Sequence, residues 1–187
     1  KPKDGGKVVV LGKEVDEAYG QALQELVIEG ELLRKEGAKL KVVFSPLHGT
    51  GIRIVPAMLK SVGVQASIVA AQEKGDGRFP TVKSPNPENG EALALGIEQA
   101  KKEKADFVVA TDPDADRMGV ALRNAAGEYE LITGNQIGSL MAAYRIGRMQ
   151  AKGWIRKGEE KSCCLIKTFV TTDLQKEIAA AAGMKCV

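Results

Sequence analysis

Between Val15 and Leu33 the apolar residues fall at Val15, Tyr19, Leu23, Leu26, Val27 and Leu33. That spacing is close to the helical period of about 3.6 and predicts one amphipathic helix, with Asp16 and Glu17 in its first turn and Gly37 just past its end. The next run, LKVVF at 40–44, is short, apolar and β-branched, with charge before it and Ser-Pro after it, as in a buried strand. The pattern repeats through a helix in RIVPAMLKSVG, a strand in QASIVA, a polar loop over about 71–90, a helix from Glu91 to Lys104 and a strand in DFVVAT. In MGVALRNAAGEYELI two extended runs flank an Asn-Ala-Ala-Gly turn, which predicts an antiparallel hairpin at the sheet edge. The expected fold is a three-layer α/β/α arrangement around a mainly parallel mixed sheet.

A second α/β unit is expected from about Thr133, dividing the chain into 1–133 and 134–187. Gly134 and Asn135 open a long helical pattern that carries Ile137, Leu140, Met141, Tyr144 and Met149 and ends near Gly153. A charged connector, a strand in SCCLIKTFV, a helix from about Asp173 to Ala182 and the strand-like MKCV follow. One strand, two helices and a stub cover a sheet poorly, so this unit reads as truncated.

Composition narrows the function classes. Hydrophobic residues are 44% and charged residues 27% of the 187, as in ordinary globular chains. The net charge is only +3, the basic residues are dispersed and aromatics are 4%, so nucleic acid is not an expected partner. No apolar run approaches the roughly 20 residues of a spanning helix, and KPKDGGKVVVLG has no signal-peptide pattern, so no membrane partner is expected. Cys163, Cys164 and Cys186 lack the spacing of a disulfide framework or zinc site. They read as small apolar core residues in a reducing, cytoplasmic setting.

The candidate chemistry centres on TDPDADR. Asp112, Asp114 and Asp116 occupy alternate positions directly after a predicted strand, where ligand crevices of open α/β sheets lie. Carboxylates about 5 Å apart repel by roughly 3 kcal/mol per pair at an effective dielectric near 20, so the cluster invites a cation. Hard oxygen ligands suit Mg²⁺ or Ca²⁺. An EF-hand is excluded, because Arg117 and Arg123 stand where its glycine and glutamate belong. Arg117 beside such a cluster fits a phosphate held against the metal. In FSPLHGTG, Gly49 and Gly51 between a strand and a helix permit a phosphate cradle of free amides, although Ile54 breaks the dinucleotide fingerprint. His48, the single histidine, either fixes that loop or touches substrate. SPNPENG, with Asn86 and Glu88, reads as a rigid turn and helix cap, and TGNQIG as a capped helix start.

Taken together, PLHGTG, SPNPE, TDPDADR and TGNQIG resemble the second domain of the α-D-phosphohexomutases and the start of the third, more in the phosphoglucomutase and phosphomannomutase spelling than the phosphoglucosamine one. The resemblance implies that Asp112, Asp114 and Asp116 bind Mg²⁺ and that Arg117 contacts an active-site phosphate, with His48 at a second phosphate- or substrate-binding position. It implies a mutase that interconverts hexose 1-phosphate and hexose 6-phosphate through a phosphoserine and a hexose 1,6-bisphosphate. The family's serine loop, sugar-selecting loop and terminal phosphate loop have no counterpart here. The expectation is therefore a fragment that works with the missing domains of the same chain and is inactive alone. Competing readings are a non-catalytic nucleotide-binding module and an interaction domain whose aspartates only solvate a loop.

Overall fold

The computed structural model describes residues 8–187. Residues 1–7, part of the segment read above for targeting, lie outside the described residues. In chain order the elements are α1 (Lys13–Glu25), α2 (Gly30–Glu36), β1 (Lys41–Ser45), α3 (Val55–Ser61), β2 (Gln65–Ile68), α4 (Ala70–Glu73), α5 (Gly90–Glu103), β3 (Phe107–Thr111), β4 (Met118–Arg123), β5 (Tyr129–Ile132), α6 (Gly134–Ala151), β6 (Cys164–Leu165), α7 (Leu174–Ala181) and β7 (Lys185–Cys186).

Five strands form a mixed sheet in the order β2-β1-β3-β4-β5. The β1 strand pairs in parallel with β2 and β3, whereas β4 runs antiparallel to both β3 and β5. The period of two along β1 and β3 sorts their side chains between two cores. Val43, Val108 and Ala110 pack with Ala92, Leu93 and Ala100 of α5. Val42, Phe107 and Val109 pack on the other face with Leu33 of α2 and Leu59 of α3. Both faces are thus covered by helices, the expected three layers. Thr111 at the end of β3 is in register with Met118 at the start of β4, so the aspartate segment between them is the loop of a hairpin.

Four expectations need correction. The single helix over 15–33 is two, α1 and α2, because Ile28 lies off the periodic stripe yet is buried, and the chain turns inward at 26–29 to bury it. The polar loop over 71–90 begins with the short helix α4, whose Gln72 is fully buried. The strand over SCCLIKTFV contracts to Cys164–Leu165, since only the two-residue β7 pairs with it. Beyond it Ile166, Phe169 and Val170 are exposed, and none of the three free cysteines is a core residue; Cys164 is exposed. No helix among the described residues is long and apolar enough to cross a membrane.

Candidate metal centre

The aspartate loop is built as a tight reversal. The Ala115 N–H donates to the Asp112 carbonyl at 3.0 Å, and the Asp112 N–H donates to the Arg117 carbonyl at 3.2 Å. Ala115 completes the turn in the left-handed region at φ 63°, a conformation that costs an alanine about 1–2 kcal/mol. This path brings one carboxylate oxygen from each of Asp112, Asp114 and Asp116 within 4.8 Å of the others. Asp112 is 1% exposed, while Asp114 and Asp116 face solvent.

Arg117 organises the buried member. Its backbone N–H donates to Asp112 Oδ1 at 3.0 Å and its Nε donates to Oδ2 at 2.8 Å. Burial alone would raise the Asp112 carboxyl, but the Arg117 amide and guanidinium outweigh it and hold the group below its ordinary range. Asp116 goes the other way: a hydrogen bond shared with Asp112 and the charge of Asp114 push its carboxyl up. The Arg117 guanidinium is raised, first by its bond to Asp112. Each carboxylate oxygen carries two lone pairs, so Asp112 can hold Arg117 and still ligate. With Nε committed, the two terminal nitrogens of Arg117 have no partner among the described residues and can meet a phosphate.

The PLHGTG segment braces this loop from below. The Thr50 N–H and hydroxyl both donate to the Pro113 carbonyl, at 2.8 and 3.1 Å. Residue 49 must be glycine for that approach, because a Cβ there would lie 2.3 Å from Pro113 Cα. Most of the expected amide cradle is already committed within the protein. The N–H of Leu47 is taken by Ser45 Oγ, that of His48 by the Gln72 carbonyl, that of Gly49 by the Pro46 carbonyl and that of Thr50 by Pro113. A short 3₁₀ turn over Thr50–Arg53, not an α-helix, follows. The segment therefore serves as a support for the aspartate loop, which weakens the case for a nucleotide module.

His48 is 5% exposed, with both ring nitrogens engaged. Nδ1 lies 3.1 Å from the Lys74 carbonyl and Nε2 lies 2.9 Å from Thr81 Oγ1. The carbonyl can only accept, so Nδ1 carries a proton and donates to it, while Nε2 pairs with the Thr81 hydroxyl. The chain of bonds continues: Gln72 Nε2 donates to Thr81 at 3.1 Å, and Ser45 Oγ donates to Gln72 Oε1 at 2.7 Å. His48 thus ties the loop after α4 to the end of β1, and a direct phosphate contact would require breaking one of its two bonds. Gln72 and Thr81 carry no sequence signal, since neither lies in a periodic run or a motif. A second unheralded group is the buried Thr111 hydroxyl, which has no hydrogen-bond partner among the described residues.

Residues 17–127 match the family model described as phosphoglucomutase/phosphomannomutase, alpha/beta/alpha domain II. The chain belongs to this family. A phosphoglucomutase of Staphylococcus aureus (strain N315) is 37% identical over 174 residues, covering 92% of the chain and 29% of that protein. The phosphoglucomutase of strain MRSA252 is 38% identical over 168 residues, covering 89% and 28%. The chain thus spans less than a third of the length of these curated family members. Among solved structures, one from Thermus thermophilus with a provisional phosphomannomutase assignment superposes with a TM-score of 0.70 at 25% identity, covering 97% of the chain and 37% of that protein. A phosphoglucomutase/phosphomannomutase family protein of Burkholderia thailandensis shares the fold with a TM-score of 0.61 at 19% identity, covering 84% and 32%.

Proposed function

We propose that this chain supplies the metal-binding part of a phosphohexomutase that interconverts hexose 1-phosphate and hexose 6-phosphate through a hexose 1,6-bisphosphate. The observation that carries the reading is the convergence of three carboxylates to within 4.8 Å beside a guanidinium. Asp112, Asp114 and Asp116 would hold Mg²⁺, whose octahedral shell at about 2.1 Å sets neighbouring oxygens within reach of that spacing. When bound, the ion supplies charge neutralisation and Lewis-acid polarisation for phosphoryl transfer.

The chain's own residues do the positioning. Buried Asp112 anchors Arg117 by two hydrogen bonds, so the guanidinium is held in place before a phosphate arrives. Asp114 and Asp116 stay exposed at the mouth of the loop, where a metal and a phosphate can be shared. In this reading Arg117 contacts the phosphate, and His48 acts by fixing the supporting loop. The boundary between the two units falls at 133/134, supported by the end of the family match at residue 127 and by the separate β6–β7 sheet. Free cysteines at 163, 164 and 186 fit a reducing cytoplasmic setting.

Magnesium titration of the chain, followed by amide NMR, tests the assignment. Saturable shifts at residues 112–117 are expected, with weak affinity because Mg²⁺ sheds water reluctantly. Asp114→Ala should remove them without loss of fold, since Asp114 is exposed and makes no bond within the loop. A loop that stays silent at tens of millimolar Mg²⁺ would refute the reading.

A further inference from the structure

Three basic residues near the end of α6 share one face. Arg145, Arg148 and Lys152 follow one another at the helical spacing of surface neighbours. Cations at a helix C-terminus are ordinarily accounted for by the dipole alone. Here they also converge on one turn of the first unit. Arg148 Nε donates to Glu29 Oε1 at 2.7 Å, and its Nη2 stands 2.6 Å from the same oxygen. Lys152 Nζ lies 3.9 Å from that oxygen, and Arg145 Nη1 donates to the Leu26 carbonyl at 3.3 Å.

The turn is built to receive them. Leu26 caps the C-terminus of α1, so its carbonyl is one of the acceptors a helix leaves without an intrahelical partner. Glu29 holds the N-cap position of α2, yet its carboxylate makes no bond to the amides of that helix. An acidic group there would ordinarily serve the positive end of α2; this one is turned to α6, with its side chain 19% exposed. The break between α1 and α2 thereby presents an acceptor and an anion side by side. Among the described residues, no other hydrogen bond or ion pair joins residues 134–187 to the chain before Thr133. The middle of α6 adds little, since Leu140, Met141 and Tyr144 stay at least half exposed. The remaining attachment is covalent, at Thr133, where a capping box starts the helix.

We infer that the Leu26–Glu29 turn is a latch for the second unit, which swings about Thr133 when the ion pairs part. This rests on the proposed division at 133/134. At 1.5 Å per residue, Arg148 is about 22 Å along α6 from that hinge. A gap widened by about 3 Å, enough to admit a water, is a swing of about 8° at that lever arm. Thr171 moves with α6 and α7, whereas Glu88 stays with the first unit, so the cleft of about 560 Å³ that both line widens as the latch opens. Closure of one unit on the other is therefore set by charge at a single turn, apart from the aspartate loop. Because Arg148 is 45% exposed, salt weakens the latch.

Residual dipolar couplings of the full chain provide the test, since α5 and α6–α7 report one alignment when the units are locked and two when they are not. At low salt the wild type should fit a single alignment. Glu29→Gln and Arg148→Met should each shift the latched-to-open ratio about fivefold and lower the order of α6–α7 while α5 is unchanged. NaCl at about 1 M, with a screening length of about 3 Å, should do the same to the wild type. Should a variant also lose the α5 alignment, the salt series on the wild type decides. Magnesium-induced shifts at 112–117 should be identical in all three proteins, which judges the proposed metal site separately; a difference overturns the independence of latch and aspartate loop. Couplings of α6–α7 that stay on the α5 alignment in both variants and at high salt overturn the latch. Hydrogen exchange then separates the two readings: α7 amides that open more readily than α5 amides leave the division at 133/134 standing without the latch, and amides that open together remove both.

Discussion

Replacing His48 with alanine separates a supporting role from a phosphate contact. The left-handed backbone at φ 62° is unfavourable for both residues, somewhat less so for histidine, so most of that cost cancels. What is lost is the pair of ring bonds to Lys74 and Thr81. At about 1 kcal/mol each, with exposed Lys74 and half-buried Thr81 open to water once the ring is gone, the sum is about 2 kcal/mol. For a chain of this size that lowers the melting temperature by about 6 °C. The loss should be concentrated in one segment. The amides of Asp76, Phe79 and Val82, which donate to the His48, Asp76 and Phe79 carbonyls, should exchange faster, while the α5 amides track only the global change. Calorimetry and hydrogen exchange of the two proteins provide the measurement. A melting temperature within about 2 °C of wild type, with unchanged exchange in this segment and a loss of phosphate affinity, would refute the supporting role in favour of direct contact.

Other perturbations probe the neighbouring joints. Gly49→Ala forces a Cβ against Pro113, and overpacking of about 1–3 kcal/mol should appear in denaturant unfolding together with weaker Mg²⁺ binding at the aspartate loop. A neutral effect on both would show that the loop is not braced there. Asp76 accepts from the Arg78 side chain and backbone, which hold its carboxyl far below the ordinary range. A depressed carboxylate contributes its stabilisation above its unfolded-state value, about 3.9, and loses it as pH falls toward the folded one. Amide shifts of Arg78 should therefore stay constant from neutral pH to about 4 and move only in stronger acid, and a midpoint at the ordinary carboxylate value would remove the Asp76–Arg78 contact from the account.

The strands were legible because burial on both faces makes β1 and β3 near-continuous apolar runs. The aspartate motif was legible because alternate carboxylates behind such a run have few structural uses. Irregular backbone was not legible for a different reason. The break at 26–29 is driven by one buried side chain, Ile28, whose position off the stripe carries no periodic signature. Gln72 and Thr81 become partners only through a nine-residue return of the chain, which local pattern does not encode. Gln175 illustrates the same limit: on α7 it reads as an exposed polar residue, and only the packing of α7 over Gly138 buries it. The amide cradle expected in PLHGTG failed because glycine spacing reports how close a neighbour can come, not which neighbour comes; here it is Pro113.

Pro113 helps to fix the shape of the aspartate loop against the repulsion of its own carboxylates. Like charges within 4.8 Å should open a flexible loop, and Ala115 adds backbone strain. Two devices oppose that tendency from different sides. Inside the loop, Arg117 neutralises Asp112 and closes the reversal through three hydrogen bonds, two to the carboxylate and one to its own carbonyl. Beneath it, Thr50 grips Pro113, and Thr50 is in turn positioned by Leu47 and His48, both in the left-handed region and both buried. Two consecutive strained residues persist only where their surroundings over-determine them, and here the Ser45–Gln72–Thr81–His48 network does so. The geometry of the carboxylates is therefore set from the opposite end of that network, by the loop after α4, which makes no contact with them among the hydrogen bonds and ion pairs of the described residues.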